Sequence, residues 1–125
     1  MSKLDFLAKY AVDGRHYIPC DEIDKALDDP DWRVRREAIC HPNATKEHID
    51  KALRDIHWFV REESIRHPNA TKEHIDKALN DPVWNVREMV VFSPNATKEH
   101  IDKALYDHDW RVRETAQERL KEIEK

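Results

Sequence analysis

Apolar positions along this chain fall into short stripes with helical spacing. Ile49, Ala52 and Leu53 sit at i, i+3 and i+4, and the stripe returns as Ile75, Ala78, Leu79 and as Ile101, Ala104, Leu105. That spacing gathers each trio on one side of a helix, where a strand would alternate its apolar residues. A second kind of segment follows each stripe. It opens on Trp32, Trp58, Trp84 or Trp110, carries Val34, Val60, Val86 or Val112 two residues later, and continues with pairs such as Ala38-Ile39 and Val90-Val91. The pattern predicts pairs of short amphipathic helices.

The pairs repeat. Successive tryptophans are 26 residues apart, and the string Asn-Ala-Thr-Lys-Glu-His-Ile-Asp-Lys-Ala-Leu begins at Asn43, Asn69 and Asn95. A degenerate copy runs from Tyr17 to Leu27 and ends in Ile23-Asp24-Lys25-Ala26-Leu27. Self-similarity at a fixed period of this size marks a repeat architecture. One domain of residues 1–125 is expected, with a cap at 1–16, units at 17–42, 43–68, 69–94 and 95–120, and a tail at 121–125. The apolar leader from Leu4 to Val12 reads as a half-repeat closed by Gly14.

Boundary chemistry agrees with two helices per unit. Thr45, Thr71 and Thr97 are N-cap residues whose hydroxyls can take an orphan backbone N–H, a contribution of about 1 kcal/mol. Glu47, Glu73 and Glu99 follow in the first turn, where the helix dipole favours a negative charge. Glu47 and Lys51 form an i, i+4 pair. His41-Pro42, His67-Pro68 and Ser93-Pro94 end the second helix, because the residue before a proline is pushed out of the α region. The fourth copy lacks that proline, and Gln117, Glu118 and Arg119 carry a charged helix onward. A polar last helix shields the end of a stacked array. Helices this short are marginal alone in water, so the units are expected to stack. The expected fold is all-α: a solenoid of about four 26-residue helix–turn–helix repeats with capping helices at both ends.

Composition changes little in this picture. One glycine in 125 residues leaves few places for a positive φ and speaks against hairpin-rich sheets. Charged residues reach 38%, with 22 basic against 26 acidic and a net charge of −4. That balance fits neither a basic nucleic-acid binder nor a strongly acidic DNA mimic. No run approaches the ~18 apolar residues of a membrane span, and no signal-like stretch lies near Met1. A cytoplasmic protein without membrane association is expected. Cys20 and Cys40 form neither a disulfide framework nor a CxxC pair. The sequons at Asn43, Asn69 and Asn95 read as turn chemistry.

The run Asp29-Pro30-Asp31-Trp32-Arg33-Val34-Arg35-Arg36-Glu37-Ala38-Ile39-Cys40-His41-Pro42-Asn43-Ala44-Thr45 resembles the leucine-rich repeat variant family, a relative of HEAT and armadillo repeats. The resemblance covers roughly residues 17–116. It departs in a longer unit, in Pro-Asn where the family has Asn-Pro, and in Lys after the capping Thr. It implies helix pairs stacked into a right-handed superhelix, and protein binding with no particular partner. One family member carries an iron–sulfur cluster on several cysteines; two cysteines cannot supply that, so no cofactor is carried over. Similar repeats occur in phage proteins, which implies an adaptor or inhibitor acting on a host protein in the host cytoplasm.

Each recurrent polar residue has two readings. Asp29, Asp55, Asp81 and Asp107 precede Arg35, Arg61, Arg87 and Arg113 by six residues, as a row of anion sites or as a ladder that ties helices together within or between units. The tryptophans would stack nucleobases or close the interhelical corner. His48, His74 and His100 stand one unit apart, and helices stacked ~8–10 Å apart cannot converge on a zinc ion with ~2 Å bonds. No metal site is expected. No HExxH, GxSxG or P-loop pattern occurs, and a HEAT-like base-excision glycosylase would need a lone carboxylate that the sequence does not nominate. A non-enzymatic protein is expected.

Positions that differ between copies carry what remains. They are residues 28, 54, 80 and 106, the two-residue steps after them, residues 33, 59, 85 and 111, and residues 40, 66, 92 and 118. Neutral drift accounts for such variation, and so does a binding edge at the turn between helices. The candidate partner-binding residues are Arg54, Phe59, Asn85, Tyr106, Arg33 and Arg111. A protein-interaction scaffold is the leading reading, as a monomer or a weak end-to-end dimer. The alternative is a nucleic-acid binder using Arg33, Arg36, Arg61, Arg66, Arg111 and Arg113, against which the net charge weighs.

Overall fold

The structure is a computed structural model, and it describes residues 11–12, 15–16 and 20–124. Eight helices fill the described chain from residue 20 onward: α1 (Cys20–Ala26), α2 (Trp32–Ile39), α3 (Lys46–Ala52), α4 (Trp58–Arg66), α5 (Lys72–Ala78), α6 (Trp84–Val90), α7 (Lys98–Ala104) and α8 (Trp110–Ile123). The expected helix pairs are all present. The leader departs from expectation where it is described. Ala11–Val12 (β1) and Arg15–His16 (β2) pair antiparallel, with Ala11 opposite His16 and Val12 opposite Arg15. The two intervening residues in sequence are Asp13 and Gly14, a dipeptide whose chemistry favours a two-residue hairpin connection over a helix end. The rest of the expected half-repeat, from Leu4 to Tyr10, and the start of the first unit at Tyr17 lie outside the described residues.

The core is built from the residues of the sequence stripes. Ile23, Ile49, Ile75 and Ile101 and Val34, Val60, Val86 and Val112 are all buried, each contributing roughly 1.5–3 kcal/mol. Every second helix packs on the second helix of the next unit, so α2, α4, α6 and α8 form a continuous row, while the first helices approach one another far less. Ile39 at the end of α2 packs with Ala44, Ile49 and Val60 of the next unit, and Ile65 does the same with Ile75 and Val86. In the last copy this stacking position is the exposed Gln117, and α8 runs on so that Leu120 packs beside Val112 and Ala116. The charged α8 exposes Gln117 and Glu118 and also the large apolar Trp110 and Ile123.

Three polar ladders staple each unit to the next. The Arg61 guanidinium donates to both carboxylate oxygens of Asp81 at 2.7 and 3.2 Å, and its third nitrogen donates to the Asp55 carbonyl of its own unit at 2.7 Å. Arg35 with Asp55 and Arg87 with Asp107 repeat the arrangement. The aspartates also take the backbone N–H two residues on, which shapes the turn. The recurrent Asp and Arg therefore act between units and not as a row of anion sites.

Histidines make the second ladder. His74 Nδ1 accepts the Thr71 backbone N–H at 2.8 Å, so its proton is on Nε2, which donates to Asp50 of the preceding unit at 2.5 Å. Thr71 Oγ1 in turn accepts the His74 backbone N–H at 3.3 Å. His48 with Asp24 and His100 with Asp76 do likewise. The capping box is thus closed by His at the third helical position, one residue past the glutamate of the sequence reading. The third ladder is the asparagine amide. Asn69 donates to the Ala44 carbonyl at 2.9 Å, and Asn95 donates to the Ala70 and Pro68 carbonyls at 2.7 Å each.

Candidate interaction surface

What the ladders leave over is a surface. The second helices stack side by side, and their outward residues lie one, four, five and eight positions after each tryptophan. That i, i+3, i+4, i+7 set is a single helix face. On α2 it holds Arg33, Arg36, Glu37 and Cys40, and on α4 Phe59, Glu62, Glu63 and Arg66. On α6 it holds Asn85, Glu88, Met89 and Phe92, and on α8 Arg111, Glu114, Thr115 and Glu118. The copies differ one, five and eight positions after the tryptophan, whereas Glu recurs four positions after it in the last three copies, and the ladder residues barely change.

Of the six sequence-predicted residues, four reach this row face. Arg33 is exposed and turns back onto Asp31, the N-cap of α2, at 2.9 Å. Phe59 is half-buried between two indoles, 5.5 Å from Trp32 with the rings 9° apart and 4.0 Å from Trp58 at 21°. His57 completes the pile, 4.2 Å from Trp32. Asn85 holds the equivalent place on α6. Arg111 lies over Trp84 at 3.7 Å and pairs with Asp109, the N-cap of α8, at 2.8 Å. The residue after each tryptophan thus reaches back to cover the previous unit's indole where Phe59 and Arg111 stand. Trp110, in the fourth copy, is 61% exposed, whereas Trp32, Trp58 and Trp84 are half-buried against the core clusters. The tryptophans line the core's edge and do not sit wholly inside it.

Arg54 and Tyr106 lie elsewhere, on the turns between the helices of their units. Arg54 lines a cleft with Leu53, Lys77 and Asp81, and Tyr106 lines another with Asn80, Lys103 and His108. The structure does not bring these two together. Ile56, on the same turn edge, is 94% exposed.

Sequence reasoning missed the middle of the face. Glu63 is buried and holds Arg36 at 3.1 Å, Arg66 at 3.5 Å and the Cys40 thiol at 3.2 Å. Desolvation and the Glu63 carboxylate push the Cys40 thiol up to about 12, so it stays protonated and unreactive near neutrality. Arg36 also lies over the Phe59 ring at 5.1 Å. Glu88 accepts the Thr115 hydroxyl at 3.0 Å. Burial, then the neighbouring Glu63, raises the Glu62 carboxyl above its ordinary range; Arg66 and Arg36 oppose this and Glu88 adds to it. The sequence signal was partial: Cys40 and Arg66 stand at a position that varies in every copy, whereas Glu63 repeats Glu37 and Glu62 repeats in Glu88 and Glu114.

The alternative arginine stripe is largely neutralised. Arg33, Arg36, Arg61, Arg66 and Arg111 each hold a carboxylate of the same chain, and Arg113 donates to the Asp107 carbonyl. Among the described residues no group of three or more His, Cys, Asp or Glu is arranged to hold a metal ion. No helix among them is long and apolar enough to cross a membrane.

Compared with models of known protein families, the chain matches none, and a comparison with curated proteins finds no match either.

Proposed function

We propose that the chain is a non-enzymatic protein-interaction scaffold whose partner lies along the row face of the second helices. One observation carries the reading. Three of the four outward positions of that face vary between copies, while the recurring Asp, Arg, His and Asn are consumed in stapling unit to unit. In this reading the four copies form a right-handed solenoid of the leucine-rich repeat variant type. The polar Gln117 at the last stacking position favours a monomer over an end-to-end dimer. A phage-encoded adaptor or inhibitor in the host cytoplasm is the form that the family resemblance suggests.

Affinity capture with paired variants tests it. A row-face variant, Arg66→Glu with Phe92→Ala, should lose the partner that the parent chain retains. A turn-edge variant, Arg54→Glu with Tyr106→Ala, should keep it. Retention by the first and loss by the second would move the site to the turns.

A further inference from the structure

We infer that the row face receives a basic partner segment with one apolar anchor, seated across α4, α6 and α8. The inference rests on the scaffold reading and adds the chemistry of the partner. Charge accounting on the face is one-sided. Its four arginines are bonded to three carboxylates, Arg33 to Asp31, Arg36 and Arg66 together to Glu63, and Arg111 to Asp109, which leaves one positive charge near Glu62 against the acids that remain. Four further carboxylates are bonded to no arginine. Glu62, Glu114 and Glu118 have no ion pair or hydrogen bond among the described residues, and Glu88 accepts only from the neutral Thr115 hydroxyl. Among these carboxylates, on α6, lies the apolar pair of half-buried Met89 and 54% exposed Phe92. A large apolar ring held this open, with unpaired carboxylates on the helices either side, matches a segment that brings cations around an apolar side chain.

The spacing suggests how the segment lies. Glu62, Glu88 and Glu114 occupy the same position on consecutive helices, and packed helices stand ~8–10 Å apart. A polyproline II segment turns once every three residues and advances ~3.1 Å per residue, so every third side chain returns to the same side about 9 Å further on. Basic residues at i, i+3 and i+6, on such a segment running across the helices, keep step with the three carboxylates. An apolar residue between them reaches the Met89–Phe92 pair. Nucleic acid, a polyanion, would meet the uncompensated carboxylates and is the opposite expectation.

Fluorescence anisotropy with the full chain and labelled probes decides it. The probes are a capped nonapeptide with Arg at positions 2, 5 and 8 and Leu at 4, the same peptide with Glu for Arg, and a single-stranded oligonucleotide. The Arg peptide should bind, and should weaken with added salt. Its affinity should fall at least about tenfold for the triple variant Glu62→Gln, Glu88→Gln, Glu114→Gln, whose circular dichroism should match the parent's. Phe92→Ser should weaken it separately. No binding of the Arg peptide, or binding that the triple variant leaves unchanged, overturns the inference. Tighter binding of the Glu peptide that Phe92→Ser abolishes also overturns it, yet keeps the face as a scaffold. Tighter binding of the oligonucleotide would overturn this inference and the scaffold reading together.

Discussion

Arg61 shows how much one residue does in this architecture. It spans two units, bonding a carbonyl in its own and a carboxylate in the next, and both charged groups of the pair are nearly buried. Removing one partner strands the other charge, so Arg61→Ala should lower the unfolding free energy by about 3 kcal/mol in urea titrations. Adding Asp81→Ala to that variant should cost far less than it does alone, because the pair fails as a unit. Ser93 is the converse case. It stands where His67 donates to the His41 carbonyl at 2.7 Å and accepts the Asn69 N–H at 3.0 Å. The buried Ser93 hydroxyl has no partner. Ser93→His should restore both bonds and raise the thermal midpoint; a lower midpoint would mean that Val90 and Val91 leave no room. Glu62 gives a pH signature. Its carboxyl is raised above the ordinary 4.5, so just above that value the folded chain keeps a proton that the unfolded chain has lost. Stability contributed by this group therefore falls as pH rises through that window and stays lower at neutral pH. Glu62→Gln should be more stable than the parent at pH 7, and the two should converge as pH drops below about 4.5.

At the scale of the element, the first helices have only seven residues and hold their shape by their ends. In α3, α5 and α7 the Thr–His box is closed by a histidine that also bonds the preceding unit. His74→Ala should remove the cap and the Asp50 bond together, at roughly 1–3 kcal/mol. Thr71→Ala, which removes one capping acceptor, should cost less. Chemical denaturation of the two variants ranks them. The helices themselves were legible, since Ile49, Ala52 and Leu53 mark one face and the Trp-x-Val openings mark the other helix. Which atoms cap them was not, because His at a capping position has no compositional signal until its Nδ1 is seen to face the Thr backbone. The β1–β2 pair was missed for a different reason. Apolar residues from Leu4 to Val12 suit a helix as well as a strand, and only Asp13-Gly14 speaks for a hairpin. Phe59 was correctly marked as variable, but periodicity along one chain cannot reveal that its ring slides between Trp32 and Trp58. Glu63 lay hidden because Glu also occupies that position in the first unit, as Glu37, so it did not read as variable.

For the whole molecule, the Arg–Asp and His–Asp ladders recur at all three junctions, the Asn ladder, among the described residues, at the last two, and Ile39, Ile65 or Val91 packs at each, so the junctions are close chemical equivalents. A chain held by nearest-neighbour contacts should survive loss of a complete unit and lose only one unit's share of stability. Deletion of residues 69–94 tests this most directly. The shortened chain would bring Arg61 to Asp107, His100 to Asp50, Asn95 to the Ala44 carbonyl and Ile65 to Ile101, each a pairing of the same residue types as before. Circular dichroism and urea unfolding should show a helical protein with one cooperative transition at a lower midpoint and a smaller denaturant slope. An unfolded or aggregated chain after that deletion would contradict the account, because it would mean that the units depend on particular neighbours and not on repeated ones.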